Sequence, residues 1–393
     1  MVWLTAAAIC PRDVTAGQKP RKKPPAPPFA VLLPLEAAWA ITLPAAPVRP
    51  AVRDGARWLV PLSSGALVAL NWESGDTAWS VPLRATTAPV AGDGVVYIGA
   101  GDTLHALDPS TGAGHWTSHA GGTLLALALA GSRVLAVGAG IAHAFDAGSG
   151  RELWARTLAA AGEPTGLAVS ATALFVAYTD GRIVALALAD GGEQWARPID
   201  GRPSAPLLLG DALFVGATDR QFYSLDAGSG KIRWAWRTGG DVTGAAADAK
   251  AKAVYYTSLD AVVRAVNPGN GHQRWKRDAG TRATGAPIVL DGSVLVTGLS
   301  PVLSAFAPQT GTPLGTLELP GEVSGTPLVR ATLVPRQVAV VVVLKDGRAY
   351  GLRALTLQFN EAAPQPLAAL PGQTLARDRL PEPPVIEPSE AGR

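Results

Sequence analysis

The sequence predicts an all-β fold: an eight-bladed β-propeller of four-stranded antiparallel blades, its ring closed by an N-terminal strand that joins the C-terminal blade. Three observations predict it. A unit of strand, tight turn and tryptophan recurs along the chain, its turn glycines are almost evenly spaced, and the last set of strands is one short while an unpartnered strand stands near the start. A repeat of about 40 residues holding four short strands is the signature of a propeller blade.

Residues 221–234 show the unit most fully. Gln-Phe-Tyr-Ser-Leu alternates polar and apolar side chains, as a half-buried strand does. Asp226-Ala-Gly-Ser-Gly230 is turn chemistry: the carboxylate can accept from N–H groups of its own turn, and Gly230 takes φ > 0 without steric cost. Trp234 follows and opens a second strand. The same spacing pairs Gly75 with Trp79, Gly112 with Trp116, Gly150 with Trp154, Gly191 with Trp195 and Gly271 with Trp275. Successive turn glycines, ending at Gly311, lie 37, 38, 41, 39, 41 and 40 residues apart. After Gly311 the expected tryptophan is replaced by Gly315, which predicts a weaker junction between the last two blades.

The fifth blade shows the strand plan, with strands expected at 205–209, 212–216, 221–226 and 231–237. Asp180-Gly181, Gly210-Asp211, Asp291-Gly292 and Asp346-Gly347 mark hairpins. Residues 38–43, around Trp39, read as an outer strand with no motif before it, 40 residues ahead of Trp79. Residues 324–329, 337–344 and 348–353 read as three strands without a fourth. Joining the two sets completes an eighth blade, and closure removes free sheet edges.

The ring therefore spans residues 36–355. Residues 1–35 read as a signal-like start and a Pro-rich basic linker, and residues 356–393, with seven prolines past 358, as a disordered tail. The net charge of +3 is uneven: residues 1–30 carry five cations against Asp13, which leaves the remainder at −1. A near-neutral body argues against nucleic acid, which needs a concentrated basic footprint. The single cysteine, Cys10, excludes an intrachain disulfide, a Cys-x-x-Cys-His haem site and a four-cysteine zinc site. Residues 1–10 look like the end of a bacterial lipoprotein signal with Cys10 as a lipid anchor. Ile9 stands where such signals need a small residue, and the alternative is an incidental cysteine. No stretch reaches ~18 uninterrupted apolar residues, so no spanning helix is expected.

The pattern Ala-Leu-Asp-x-x-x-Gly-x-x-x-Trp resembles the tryptophan docking motif of the pyrroloquinoline-quinone-like (PQQ-like) repeat family, over residues 36–355. The resemblance implies that Trp39, Trp79, Trp116, Trp154, Trp195, Trp234 and Trp275 pack between neighbouring blades, which suits a large side chain with one N–H to satisfy. One branch of the family, the quinoprotein dehydrogenases, implies a quinone and Ca²⁺ inside the ring, a catalytic Asp and, in many members, adjacent cysteines. This chain has no adjacent cysteines and no compact Glu/Asn/Asp cluster in its sequence. The other branch, the BamB-type propeller lipoproteins of outer-membrane protein assembly, implies eight blades, a lipid anchor and no catalysis. The chain fits that branch better, apart from its long Pro-rich tail. The expectation is a monomeric, non-catalytic scaffold without a cofactor or metal, in the periplasm or at the outer membrane. It would bind protein partners of the cell envelope and meet membrane only through its anchor. A PQQ- and Ca²⁺-dependent dehydrogenase and a ligand-sensing propeller are the alternatives.

Other chemistry is sparse. His105 and His143 occupy equivalent positions in adjacent blades, but no carboxylate recurs with them, so they read as strand residues rather than a metal pair. Gly138-Ala-Gly140 is a fragment of a dinucleotide fingerprint opening a strand, and carries no weight. Arg84, Arg202 and Arg282 fall in loops that join one blade's outer strand to the next blade's inner strand, and form a candidate partner-binding rim.

Overall fold

A computed structural model of the chain describes residues 30–31, 34–159, 162–290, 292–330, 336–354 and 358–359. Cys10, the basic linker and the Pro-rich tail beyond Phe359 lie outside the described residues. The described chain forms eight four-stranded antiparallel sheets and one short two-stranded pair, Ala30–Val31 with Gln358–Phe359. It contains no helix, and so none long and apolar enough to cross a membrane. Blades 1 to 7 lie within residues 52–82, 90–119, 126–157, 164–198, 207–237, 242–278 and 288–318, each running from the inner to the outer strand.

Blade 8 is built from both ends of the chain. Its sheet runs Leu328–Val329, Val338–Val343, Arg348–Ala354 and then Leu35–Thr42 as the outer strand. Thr42 pairs with Arg348 and Trp39 with Gly351. A Cβ at Gly351 would lie 2.3 Å from the Trp39 Nε1, so the strand gives way there to admit the indole. The seam with blade 1 is reinforced beyond the repeat. Trp39 stacks on Trp58 with centroids 6.2 Å apart. Trp72 is fully buried and donates to the Val338 carbonyl at 2.8 Å, while the Arg53 guanidinium lies 4.7 Å above its ring. Glu73 accepts from the Val338 N–H and pairs with Arg330.

The motif residues form one recurring contact. All seven turn glycines have φ between +66° and +77°. A Cβ built on any of them would meet the tryptophan of the preceding blade at 2.5–2.8 Å. Each indole Nε1 donates, at 2.8–3.2 Å, to the carbonyl of the residue after the motif Asp or its equivalent in the next blade: Trp72, Pro109, Ala147, Leu188, Ala227, Pro268 and Pro308 in turn. Glycine thus stands there for two reasons, a left-handed backbone and the close approach of an indole. The turn carboxylates behave as their sequence suggests. Asp226 Oδ1 accepts from Ser229 N at 2.8 Å, and Asp146 and Asp108 do the same in their own turns.

One expectation needs correction, and another gains its structural setting. In blade 5 the inner strand is only Leu207–Leu209, because Pro203 and Pro206 lack the N–H a longer ladder needs; Pro203 keeps a single bridge to Ala217. The junction of blades 7 and 8, expected to be the weaker one, lacks its indole and is packed by other side chains. Ala305 pairs with Gly315, the place Trp275 takes opposite Ala265, so the tryptophan position is indeed vacant. Blade 8, however, has no hairpin between its third and outer strands, since these come from opposite ends of the chain, and so offers no turn glycine or carbonyl for an indole. Fifteen buried residues fill the junction instead, Leu303, Leu317, Val340 and Leu352 among them.

Candidate functional site

The loops that lead from each outer strand to the next inner strand share one face of the ring with the hairpins between second and third strands. Bridges between the two sets, such as Pro203 to Ala217 and Ala283 to Gly298, tie this face together. Arg84, Arg202 and Arg282 are all exposed on it. They enter blades 2, 5 and 7, so they are distributed round the face rather than gathered into one cluster. The Arg84 side chain lies over Gly65, whose added Cβ would meet its Cγ at 3.0 Å. The Arg282 carbonyl accepts from Leu299 N at 3.0 Å, and that of Arg202 from Thr218 N at 3.1 Å.

The same face carries apolar side chains that the sequence reading missed. Leu299 is 44% exposed, Val48 43% and Leu259 37%. Leu259 and Leu299 sit in the hairpins of adjacent blades 6 and 7, beside Arg282. An apolar residue inside a hairpin, as in Ser258-Leu259-Asp260, was the available signal, since turns are otherwise polar. Two of the hairpins, that of Leu259 among them, are held by their own carboxylates. Arg264 pairs with Asp260 at 2.6 Å and Arg348 with Asp346 at 2.7 Å. Each Asp is held below the ordinary carboxylate range by its arginine, against the opposing effect of burial, which for Asp260 is the larger single influence.

A cavity of about 610 Å³ opens at the centre of this face, between Thr165 of blade 4 and Thr326 at the entry to blade 8. Its walls are small inner-strand residues because adjacent inner strands nearly touch: a Cβ on Gly166 would lie 2.4 Å from that of Ala205, and one on Gly244 2.8 Å from that of Ala286. Among the described residues, Arg202 and Asp241 are the only charged ones lining it. A quinone and Ca²⁺ centre needs several oxygen ligands, carboxylates usually among them. Among the described residues no group of three or more His, Cys, Asp or Glu could hold a metal ion, and Asp241 is the one carboxylate in this wall. The residues present do not fit such a centre.

The histidines are dispersed. His143 is buried, with Nδ1 2.9 Å from Glu152 Oε1 and Nε2 without a partner. Gly114 occupies the position of Glu152 in blade 2, so the His–Glu pair does not recur at His105. Burial, and then His119, lower the pKa of His105 below the usual histidine range.

The chain matches the family model described as outer membrane protein assembly factor BamB over residues 36–139, 138–258 and 259–361. No curated protein matches it. Solved structures of the same fold include BamB from Moraxella catarrhalis, 21% identical, covering 81% of this chain and 97% of that one with a TM-score of 0.62. Sqt1 from Saccharomyces cerevisiae is 8% identical and covers 81% and 98%, with a TM-score of 0.69. The quinohemoprotein alcohol dehydrogenase ADHIIG from Pseudomonas putida HK5 is 13% identical and covers 84% and 78%, with a TM-score of 0.65. At these identities the likeness is one of fold, and the fold carries differently named proteins.

Proposed function

This chain belongs to the family of outer membrane protein assembly factor BamB, and from that premise we propose that it is a non-catalytic scaffold of the bacterial cell envelope that binds a protein of membrane assembly. The observation that carries the reading is the pairing, on one face, of exposed Leu259 and Leu299 with exposed Arg202 and Arg282. Apolar side chains beside arginines are the composition of protein-binding surfaces, where the planar guanidinium pairs with carboxylates and stacks on aromatics. The loops supply the contacts and the ring holds them rigid. Cys10 serves as the lipid anchor, and the ring works as a monomer.

The test is a pull-down from envelope extract with the full chain as bait. A membrane-assembly protein is recovered with the natural sequence and lost with the Arg84→Glu/Arg202→Glu/Arg282→Glu variant, whose melting temperature stays unchanged because all three side chains are exposed. The counter-test is incubation with pyrroloquinoline quinone and Ca²⁺ followed by a dye-linked dehydrogenase assay. Stoichiometric quinone binding with turnover of an alcohol or sugar would replace the scaffold reading by the dehydrogenase one.

A further inference from the structure

The outer strands form the perimeter of the ring, and their charge is concentrated on one side. Five of the seven Lys and Arg in the eight outer strands belong to Ile232–Arg237 of blade 5 and Gln273–Asp278 of blade 6, with Asp278 the only carboxylate there. The outer strands of blades 7, 8 and 1, Pro313–Glu318, Leu35–Thr42 and Thr77–Pro82, hold no cation at all. Among the described residues no carboxylate pairs with Arg237, Arg274, Lys276 or Arg277. Arg274 and Arg277 donate to backbone carbonyls, and only Arg233 is ion-paired, to Asp211 and Asp226.

The same side bears two protruding apolar side chains, Ile232 at 46% and Trp236 at 43% exposure. Trp236 is not a docking residue. It lies two positions after docking Trp234 and covers the outside of Gly271, whose added Cβ would sit 2.5 Å from its Nε1. Position for position, Arg156 and Arg197 of blades 3 and 4 perform that cover with charged side chains, and Arg197 donates to the Gly230 carbonyl. At the far end of the two strands a cavity of about 430 Å³ between the blades is lined by Arg233, Lys252 and Arg274, with Asp211 the only carboxylate among the described residues that line it.

We infer that this basic, indole-bearing side of blades 5 and 6 lies on an anionic phospholipid surface. An indole and an isoleucine standing singly among long cations match the boundary of a bilayer, where aromatics sit at headgroup depth and Lys and Arg meet phosphates. Each such cation is drawn to an anionic leaflet, and the attraction falls off within a Debye length. The convex perimeter suits a plane better than a groove-bound peptide. The inference is independent of the scaffold reading, since it uses neither the loop face nor the lipid anchor.

The experiment is co-sedimentation of the unlipidated full chain with phosphatidylglycerol-containing vesicles and with pure phosphatidylcholine vesicles. Lys19, Arg21, Lys22 and Lys23 are replaced by Gln in every arm, so that this segment contributes nothing. Binding is expected to the anionic vesicles alone and to weaken with salt. Arg237→Glu/Lys276→Glu should lower the partition coefficient roughly tenfold or more. Arg237→Gln/Lys276→Gln gives a smaller loss in the same direction, and so tests the charge even if reversal perturbs folding. Trp236→Phe should abolish a vesicle-induced blue shift of tryptophan emission. Equal binding to both vesicle types, or a partition unaffected by the two charge variants, would overturn the inference. So would capture of a soluble acidic peptide by a protein that ignores the vesicles.

Discussion

The contact between Trp154 of blade 3 and Gly191 of blade 4 allows a quantitative test of what holds the blades together. Trp154 is 6% exposed and donates to the Leu188 carbonyl at 3.0 Å. It belongs to a cluster that includes Leu135, Leu174 and Tyr178. An aromatic side chain that buries roughly 150–250 Å² contributes about 4–6 kcal/mol at ~25 cal/mol per Å², an upper estimate because the unfolded chain is partly compact. Measured Trp→Ala changes in cores cost about 3–5 kcal/mol, so Trp154→Ala is expected to cost about 4 kcal/mol, with the Leu188 carbonyl left unpaired. Gly191→Ala attacks the same contact from the other side. Its φ is +74°, and the new Cβ would stand 2.6 Å from the Trp154 ring. The backbone costs roughly 1–2 kcal/mol and the overlap about 1–3 kcal/mol more. Gly94→Ala separates the two, for Gly94 has φ +73° with nothing within 4 Å of its Cβ, and should cost only the backbone part.

In the double variant Trp154→Ala/Gly191→Ala the ring that obstructs the methyl is gone. Arg156 Cγ, 2.7 Å from the same methyl, belongs to an exposed, flexible side chain that can swing aside, so the alanine at 191 should then cost little more than the one at 94, which makes the two changes less than additive by about 1–3 kcal/mol. Urea denaturation followed by far-ultraviolet circular dichroism reads all four variants, since the midpoint shifts at constant m when stability alone changes. Strict additivity, or a Trp154→Ala cost below about 1 kcal/mol, would refute the assignment of this contact as a main bond between the blades.

Removal of residues 1–44 takes away the outer strand of blade 8 and the Trp39–Trp58 stack, so the truncated chain should aggregate or sediment as an open form; a monomer with unchanged melting temperature would sink the closure argument. Asp226 is held down to about 2 by hydrogen bonds from Arg233 and then Ser229. A carboxylate depressed on folding adds stability that is present above about pH 4 and is lost as pH falls through about 2. Asp226→Asn should therefore lower the melting temperature at neutral pH and flatten its fall between about pH 4 and 2, and an unchanged slope would contradict the assignment.

The ring was legible because each blade repeats its chemistry at fixed spacing, and because Trp39 and the three C-terminal strands are each incomplete alone. What escaped was whatever depends on topology rather than period. Gly315 looks like a defect when aligned with its six counterparts. In the ring it stands before the one blade whose third and outer strands share no turn, where an indole would find neither glycine to lie on nor carbonyl to bond. Trp72 escaped for a similar reason: it takes the place of Pro109 or Ala147, outside the docking pattern, and acts only where the ring closes. Leu259 and Leu299 were readable as apolar residues within turns, but which hairpins share a face with Arg202 and Arg282 follows only from the strand order.

The repeat also separates what is free to vary from what is not. Within the outer strand of every blade but the seventh the docking position carries the indole that holds the next blade, and the turn glycine opposite must stay bare. The positions on either side carry no such requirement. They hold Ala78 and Ser80 in blade 1, His115 and Thr117 in blade 2, but Arg233 and Ala235 in blade 5 and Arg274 and Lys276 in blade 6. A chain-wide charge near neutrality conceals this, because summing over blades averages away a difference between one side of a ring and the other. Packing explains why Trp234 is an indole and why Gly271 is bare, yet it asks for no cation at 237 or 276 and for no second indole at 236. Those residues are where this chain departs from the needs of its own fold, and the vesicle experiment addresses that departure.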